Sequence, residues 1–173
     1  HGLHNVDINT HKQYFKNNVI GTQNLYKEAS KKNIKKIILT SSIASNSMNL
    51  FNYKWPVNEE NESLPDDSYG VSKKIQEIVA QSYADTGSIQ TIAIRPCSFF
   101  ELNNLEMGFR LIGMHAKVND IVNAHLAAIN VLLDDKRVSK LKMFEAIFAT
   151  NQLPYKNEDK KLVHFRGDMK NLI

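Results

Sequence analysis

Tyr69 and Lys73 stand four residues apart in the stretch DDSYGVSKKIQEIVAQSYADTG, residues 66 to 87. On an α-helix, positions i and i+4 share a face, so the phenol and the ammonium can point into one small volume. A tyrosine is a poor base near neutral pH because its ordinary pKa is about 10, and a nearby ammonium favours the phenolate. The pair can therefore move a proton to or from a hydroxyl or carbonyl. The same residues can also serve packing alone, the tyrosine closing a core edge and the lysine standing in solvent. Spacing by itself does not separate these readings.

Other chemistries find less support. The six histidines are scattered without the close helical spacing of a metal site, and a single Cys97 excludes an intramolecular disulfide or a Cys-rich zinc site, so no metal is expected. The net charge of +4 comes largely from KKNIKK at 31 to 36 and KNEDKK at 156 to 161. No aromatics interleave with the first cluster as a single-strand stacking platform requires, and the second carries its own acids; no nucleic-acid partner is expected. The longest apolar runs, IKKIILTSSIA and AHLAAINVLL, are too short or too polar to span a bilayer. The first twenty residues lack the order of a signal peptide. These features point to a cytoplasmic protein with no membrane partner.

The elements that must position Tyr69 and Lys73 alternate along the chain. KQYFKNNVIGTQNLYKEASKKN has Phe15, Val19, Leu25 and Ala29 at roughly helical spacing. IKKIILTSS fits a buried strand ending in small polar residues. The stretch from Ala44 to Ser68, with Pro56 and Pro65, is a long polar connection. The helix of Tyr69 and Lys73 follows, capped by Asp67 or Ser68. IQTIAIRP is a second buried strand stopping at Pro96, and NDIVNAHLAAINVLLDD a helix with Ile121, Ala124, Leu126, Ala128 and Leu132 available for packing. KMFEAIFATN is a third strand, followed by a short helix start in NEDKKLVHF. This order predicts an α/β fold with a parallel sheet and right-handed crossovers. Thr40, Ser41, Ser42, Pro96, Cys97, Ser98, Thr150 and Asn151 fall at the carboxyl ends of strands, where functional residues gather in such sheets.

Four phrases in order, NNVIGTQNLYKEASKKNIKKIILTSS, PVNEENESLPDDSYGVSKKIQE, TIAIRP and VNDIVNAHLAAI, resemble the extended short-chain dehydrogenase/reductases of the NAD-dependent epimerase/dehydratase type. They cover most of residues 14 to 133. The resemblance implies a Rossmann-like parallel sheet with flanking helices, hydride exchange with NAD or NADP, and a catalytic set of Ser42, Tyr69 and Lys73. Tyr69 would pass the proton, Lys73 would also hold the nicotinamide ribose, and Ser42 would orient the substrate oxygen, with Ser41 an adjacent competitor for that role. Asn18 would support the lysine and cofactor region. Gly2 and Leu3, in HGLHNV, would border the cofactor, and Cys97 would lie where backbone packs against the nicotinamide. Read from the residues alone, Asn18 can equally bond local backbone and Cys97 can be a buried small hydrophobe.

Two departures from the family pattern shape the expectation. No GxxGxxG arrangement occurs among the seven glycines, and the first residue is not Met. The chain therefore reads as the C-terminal part of a longer protein: one partial domain over residues 1–173, lacking the first strands of the doubly wound sheet, with the strand IKKIILTSS left as an apolar edge. By itself it is expected to bind the cofactor weakly and to be inactive. The substrate-binding region, around 97–118 and 151–173, is reduced, as in compact uronate-dehydrogenase-like members, and RPCSFFELNN lacks the Gly-Pro that commonly follows the Arg-Pro. The leading expectation is an NAD(P)-dependent oxidoreductase or epimerase acting on a sugar or sugar-nucleotide hydroxyl or carbonyl. A homodimer through helices 14–32 and 69–86 would match the family. The alternative is a truncated, non-catalytic member serving as an interaction module.

Overall fold

The structure is a computed structural model, and it describes residues 8–46, 59, 64–99 and 116–150. A long helical run opens it: α1 (Ile8–Tyr14), a π-helical segment (Phe15–Ile20) and α2 (Gly21–Lys31). Strand β1 (Lys36–Thr40) follows and passes into a short 3-10 turn, Ile43–Ser45. Helix α3 (Ser68–Asp85) leads to β2 (Gln90–Pro96), and then α4 (Val118–Leu133), the short α5 (Asp135–Val138) and β3 (Phe144–Ala149) complete the order. Among the described residues, the three strands form one parallel sheet in the order β1-β2-β3. The register sets Thr40 against Ile94 and Pro96 against Ala149. Strand β2 is central and buried on both faces after its first residue, as its unbroken apolar run requires.

Helices cover both faces. Ile38, Ile92 and Ile94 pack with Ile121, Ala128 and Leu132 of α4. Leu39 and Ala93, on the other face, pack with Tyr26 and Ala29 of α2 and Ala80 of α3. The chain moves one way across the sheet through a helix on opposite faces, so the two crossovers have opposite hands. This departs from the uniformly right-handed connections that the order of elements suggests. With α2 and α3 already filling one face, the Ile92 and Ile94 side is the surface left for α4 to bury.

The buried face of the first helical run also differs from its apolar spacing. Phe15 and Leu25 are exposed and Val19 is half-buried, whereas Tyr14, Asn18, Thr22, Tyr26 and Ala29 are buried. Four residues overshoot an α-turn and fall short of the wider π turn, so the two drifts offset and a row spaced by four stays on one side. That row includes Asn18 and Thr22 because α3 offers them polar partners, Ser72 and Gln76. On α4, Ile121, Ala128 and Leu132 are buried as expected and Ala124 is half-buried, but Leu126 is 51% exposed.

The strand β1 has only β2 as a partner among the described residues. Its Ile37 and Ile38 are half-buried, and a groove of about 400 Å³ beside it is lined by Leu25, Ala29, Ile34 and Ile37 together with Glu28 and Lys32. That groove lies at the amino-terminal end of β1, away from Thr40 and Ser42. The helix start in NEDKKLVHF, Gly2, Leu3 and most of the regions 97–118 and 151–173 fall outside the described residues. Among the described residues, no helix is long and apolar enough to cross a membrane.

Candidate functional site

Helix α3 begins where its sequence allows. Asp67 is the N-cap, with extended backbone and a carboxylate that accepts from Gly70 N–H at 2.6 Å. Gly70 then permits a close approach: a Cβ there would lie 2.3 Å from the Ala44 carbonyl oxygen and 2.9 Å from Pro65 Cβ. The missing side chain lets the first turn of α3 press against the turn after β1. On that turn Ser42 is an extended N-cap whose Oγ accepts from Ala44 N–H at 3.2 Å.

The close approach sets the Ser42 side chain beside the Tyr69 phenol, where it favours the ionised form. The adjacent Ser41 is engaged elsewhere, donating its Oγ to Glu77 Oε1 at 2.5 Å. Of the two serines, Ser42 therefore meets the phenol. Lys73, one helical turn on, is 4% exposed; its Nζ donates to the Thr40 carbonyl at 3.0 Å and stands 5.8 Å from the centroid of the Tyr69 ring. The Tyr14 ring packs edge-to-face with that of Tyr69, centroid to centroid at 5.6 Å.

Asn18 lies in the π segment, a distortion often found at functional positions. Its Nδ2 donates to Ser72 Oγ at 2.9 Å, and Ser72 Oγ donates to the Tyr69 carbonyl at 2.7 Å. Asn18 is thus linked to the helix backbone that carries Tyr69, through the residue preceding Lys73. Cys97 is buried just beyond β2, its N–H donating to the Ala149 carbonyl at 3.1 Å. The fold brings Ser42, Tyr69 and Lys73 together, ties Asn18 to them through Ser72, and puts Cys97 at a strand end in the core beneath α4.

Electrostatics modify the simple view of an ammonium acidifying a phenol. Burial pushes the Tyr69 pKa above its ordinary value of 10.0; the Ser42 side chain opposes this, while Tyr14 and Asp67 add to it. The expected lowering by Lys73 does not prevail, because burial leaves that ammonium with a pKa of about 8 and it loses its charge before the phenol titrates. Burial also pulls Lys73 down to about 8, against the opposing charge of Glu77.

Glu77 and Arg95 escape a reading centred on Tyr69 and Lys73. Arg95 Nε and Nη2 donate to the two carboxylate oxygens of Glu77, each at 2.8 Å, in a pair that is almost fully buried. A signal was present: an arginine inside the apolar strand IAIRP must find a partner. Glu77 continues the i, i+4 series of Tyr69 and Lys73. Among the described residues, no cluster of His, Cys, Asp and Glu could hold a metal ion.

A parallel sheet covered by helices on both faces, with polar side chains meeting at the carboxyl ends of its strands, is a Rossmann-like arrangement. The sequence profile of the NAD dependent epimerase/dehydratase family matches residues 2–106, more than half of the 173-residue chain, and the chain belongs to that family. Its fold is similar to that of a UDP-galactose 4-epimerase, with TM-score 0.67 and 20% identity over 96% of this chain and 60% of that one. A mutated uronate dehydrogenase gives 0.70 and 18% over 98% and 61%. The UDP-N-acetylglucosamine 4-epimerase from Bacillus cereus gives 0.62 and 22% over 99% and 60%. The chain spans about three-fifths of the length of these relatives. At these identities the likeness is one of fold. No curated protein sequence matches the chain.

Proposed function

We propose that the protein is an NAD-dependent oxidoreductase or epimerase acting on a hydroxyl or carbonyl of a sugar or nucleotide sugar, with Ser42, Tyr69 and Lys73 as its catalytic group. The observation that carries the reading is the Tyr69 phenol with the Ser42 side chain beside it and a buried ammonium one helical turn away, 5.8 Å from the centroid of its ring. The donor set fits a nicotinamide ribose. Lys73 has three ammonium hydrogens, and among the described residues only the Thr40 carbonyl takes one. A buried cation with spare donors suits a pair of hydroxyls. NAD is named with structural neighbours such as a UDP-glucose 4-epimerase from Brucella ovis, and it would supply the hydride acceptor.

In this reading Ser42 Oγ and Tyr69 Oη hold one substrate oxygen between them, and Tyr69 gives or takes its proton. The free site keeps the phenol neutral, which suits donation to a carbonyl. Taking a proton requires a positive charge that persists beside the phenol to the pH at which it ionises, and in the free site Lys73, at about 8, does not supply it. Asn18 keeps the first turn of α3 in place through Ser72. Tyr69→Phe removes the titrating hydroxyl and leaves the ring. Turnover of a UDP-hexose or a uronate by the intact protein is expected to fall about 100-fold or more, with an unchanged circular dichroism melt. Activity within threefold of the parent would remove Tyr69 from the mechanism.

A further inference from the structure

Glu77 takes no part in that proton path, yet its buried carboxylate gathers bonds from two elements. Oε1 accepts from Ser41 Oγ at 2.5 Å, Ser45 Oγ at 3.0 Å and Arg95 Nε at 2.8 Å, while Oε2 accepts from Arg95 Nη2 at 2.8 Å. Arg95 is held in turn by the Glu59 carbonyl at 3.3 Å and by the Phe148 ring, 5.5 Å from its guanidinium carbon. Ser41 and Ser45 bracket Ser42 on the turn leaving β1. Glu77 also stands one helical turn beyond Lys73, as Lys73 stands beyond Tyr69, so phenol, ammonium and carboxylate share one face of α3.

We infer that Glu77, fixed by Arg95, is a positioning residue for Ser42, Tyr69 and Lys73: it pins the turn that carries Ser42 and sets a negative charge behind the Lys73 ammonium. The inference rests on the reading of that group given above. The charged and titratable groups around Lys73 are Tyr69 and Glu77 on α3, Arg95 of β2 behind Glu77, and Tyr14 of α1 against the Tyr69 ring. His125 of α4 meets the side chain of Thr40, whose carbonyl takes the ammonium. Burial and Glu77 act on Lys73 in opposite directions. Removing the carboxylate charge therefore makes Lys73 lose its proton at lower pH. Mere loosening of the structure admits water and moves Lys73 up toward its ordinary 10.5. The sign of the change separates positioning from packing.

The test follows the ¹³Cε signal of Lys73 by NMR in lysine-labelled protein, the resonance being assigned by its loss in Lys73→Met. In Glu77→Gln the Lys73 midpoint is expected to fall by about one pH unit. An unchanged or raised midpoint overturns the inference. Should Glu77→Gln fail to fold, Glu77→Gln with Arg95→Gln leaves no unpaired buried cation and is tolerated better; a smaller fall is expected, because the more distant Arg95 charge is lost with the nearer carboxylate, and an unchanged or raised midpoint overturns the inference. In turnover assays the alkaline limb should move with Lys73 in Glu77→Gln and return in Glu77→Asp, which keeps the charge. A limb that stays in place despite the Lys73 change overturns the positioning role. The NMR titration needs no turnover, so failure of the proposed reaction and failure of the role of Glu77 are separate results.

Discussion

Lys73 carries its ammonium where burial works against it, and the fold supports it with one carbonyl and one carboxylate on its own helix face. Its neighbour Lys74 lies about 100° further round the helix. Lys73→Met is therefore expected to weaken NAD binding and, together with that, to abolish the alkaline limb of the pH–rate profile that follows loss of the Lys73 proton near 8, since the titrating ammonium is gone. Lys74→Met should do neither, beyond a small surface effect. Parallel pH–rate profiles and calorimetric NAD titrations of the two variants check this; a silent Lys73 change beside a damaging Lys74 change would mean that the wrong lysine has been assigned. The Tyr69–Lys73 spacing was readable in the sequence because an α-helix converts four residues into one turn. The partition of Ser41 and Ser42 was not, because it depends on Glu77, eight residues beyond Tyr69, reaching back to only one of two adjacent serines.

At the scale of elements, the site exists because α3 starts against the turn after β1. Gly70 allows this contact, and its neighbours Ala44 and Pro65 are backbone and ring atoms that cannot swing aside. Gly70→Ala should push the first turn of α3 outward, costing about 1–3 kcal/mol and drawing Tyr69 away from Ser42. Denaturant unfolding and turnover, measured together, check the expectation; a variant with parental stability and activity would contradict the close approach. Strands, and the helices α3 and α4, were legible from apolar runs and from the Asp67 cap. The first helical run was legible as a helix but not in its buried face. Asn18 and Thr22 are polar, and their burial depends on Ser72 and Gln76 of another helix, which local periodicity does not register.

Across the whole molecule, the order of elements gives a parallel sheet but not the faces its helices take. The α4 helix crosses to the face opposite α3, and that choice rests on which side of Ile92 and Ile94 is left uncovered. Family membership joins this sheet to a class named for NAD-dependent chemistry, and the central claim is that hydride transfer occurs beside Tyr69. The most direct measurement uses a UDP-hexose or uronate carrying deuterium at the carbon to be oxidised, incubated with NAD and the intact protein. The account predicts that deuterium passes to the nicotinamide, or returns from it to the epimerised sugar carbon, and that Tyr69→Phe suppresses both. Product formed with deuterium lost to solvent, or transfer undiminished in Tyr69→Phe, would contradict it.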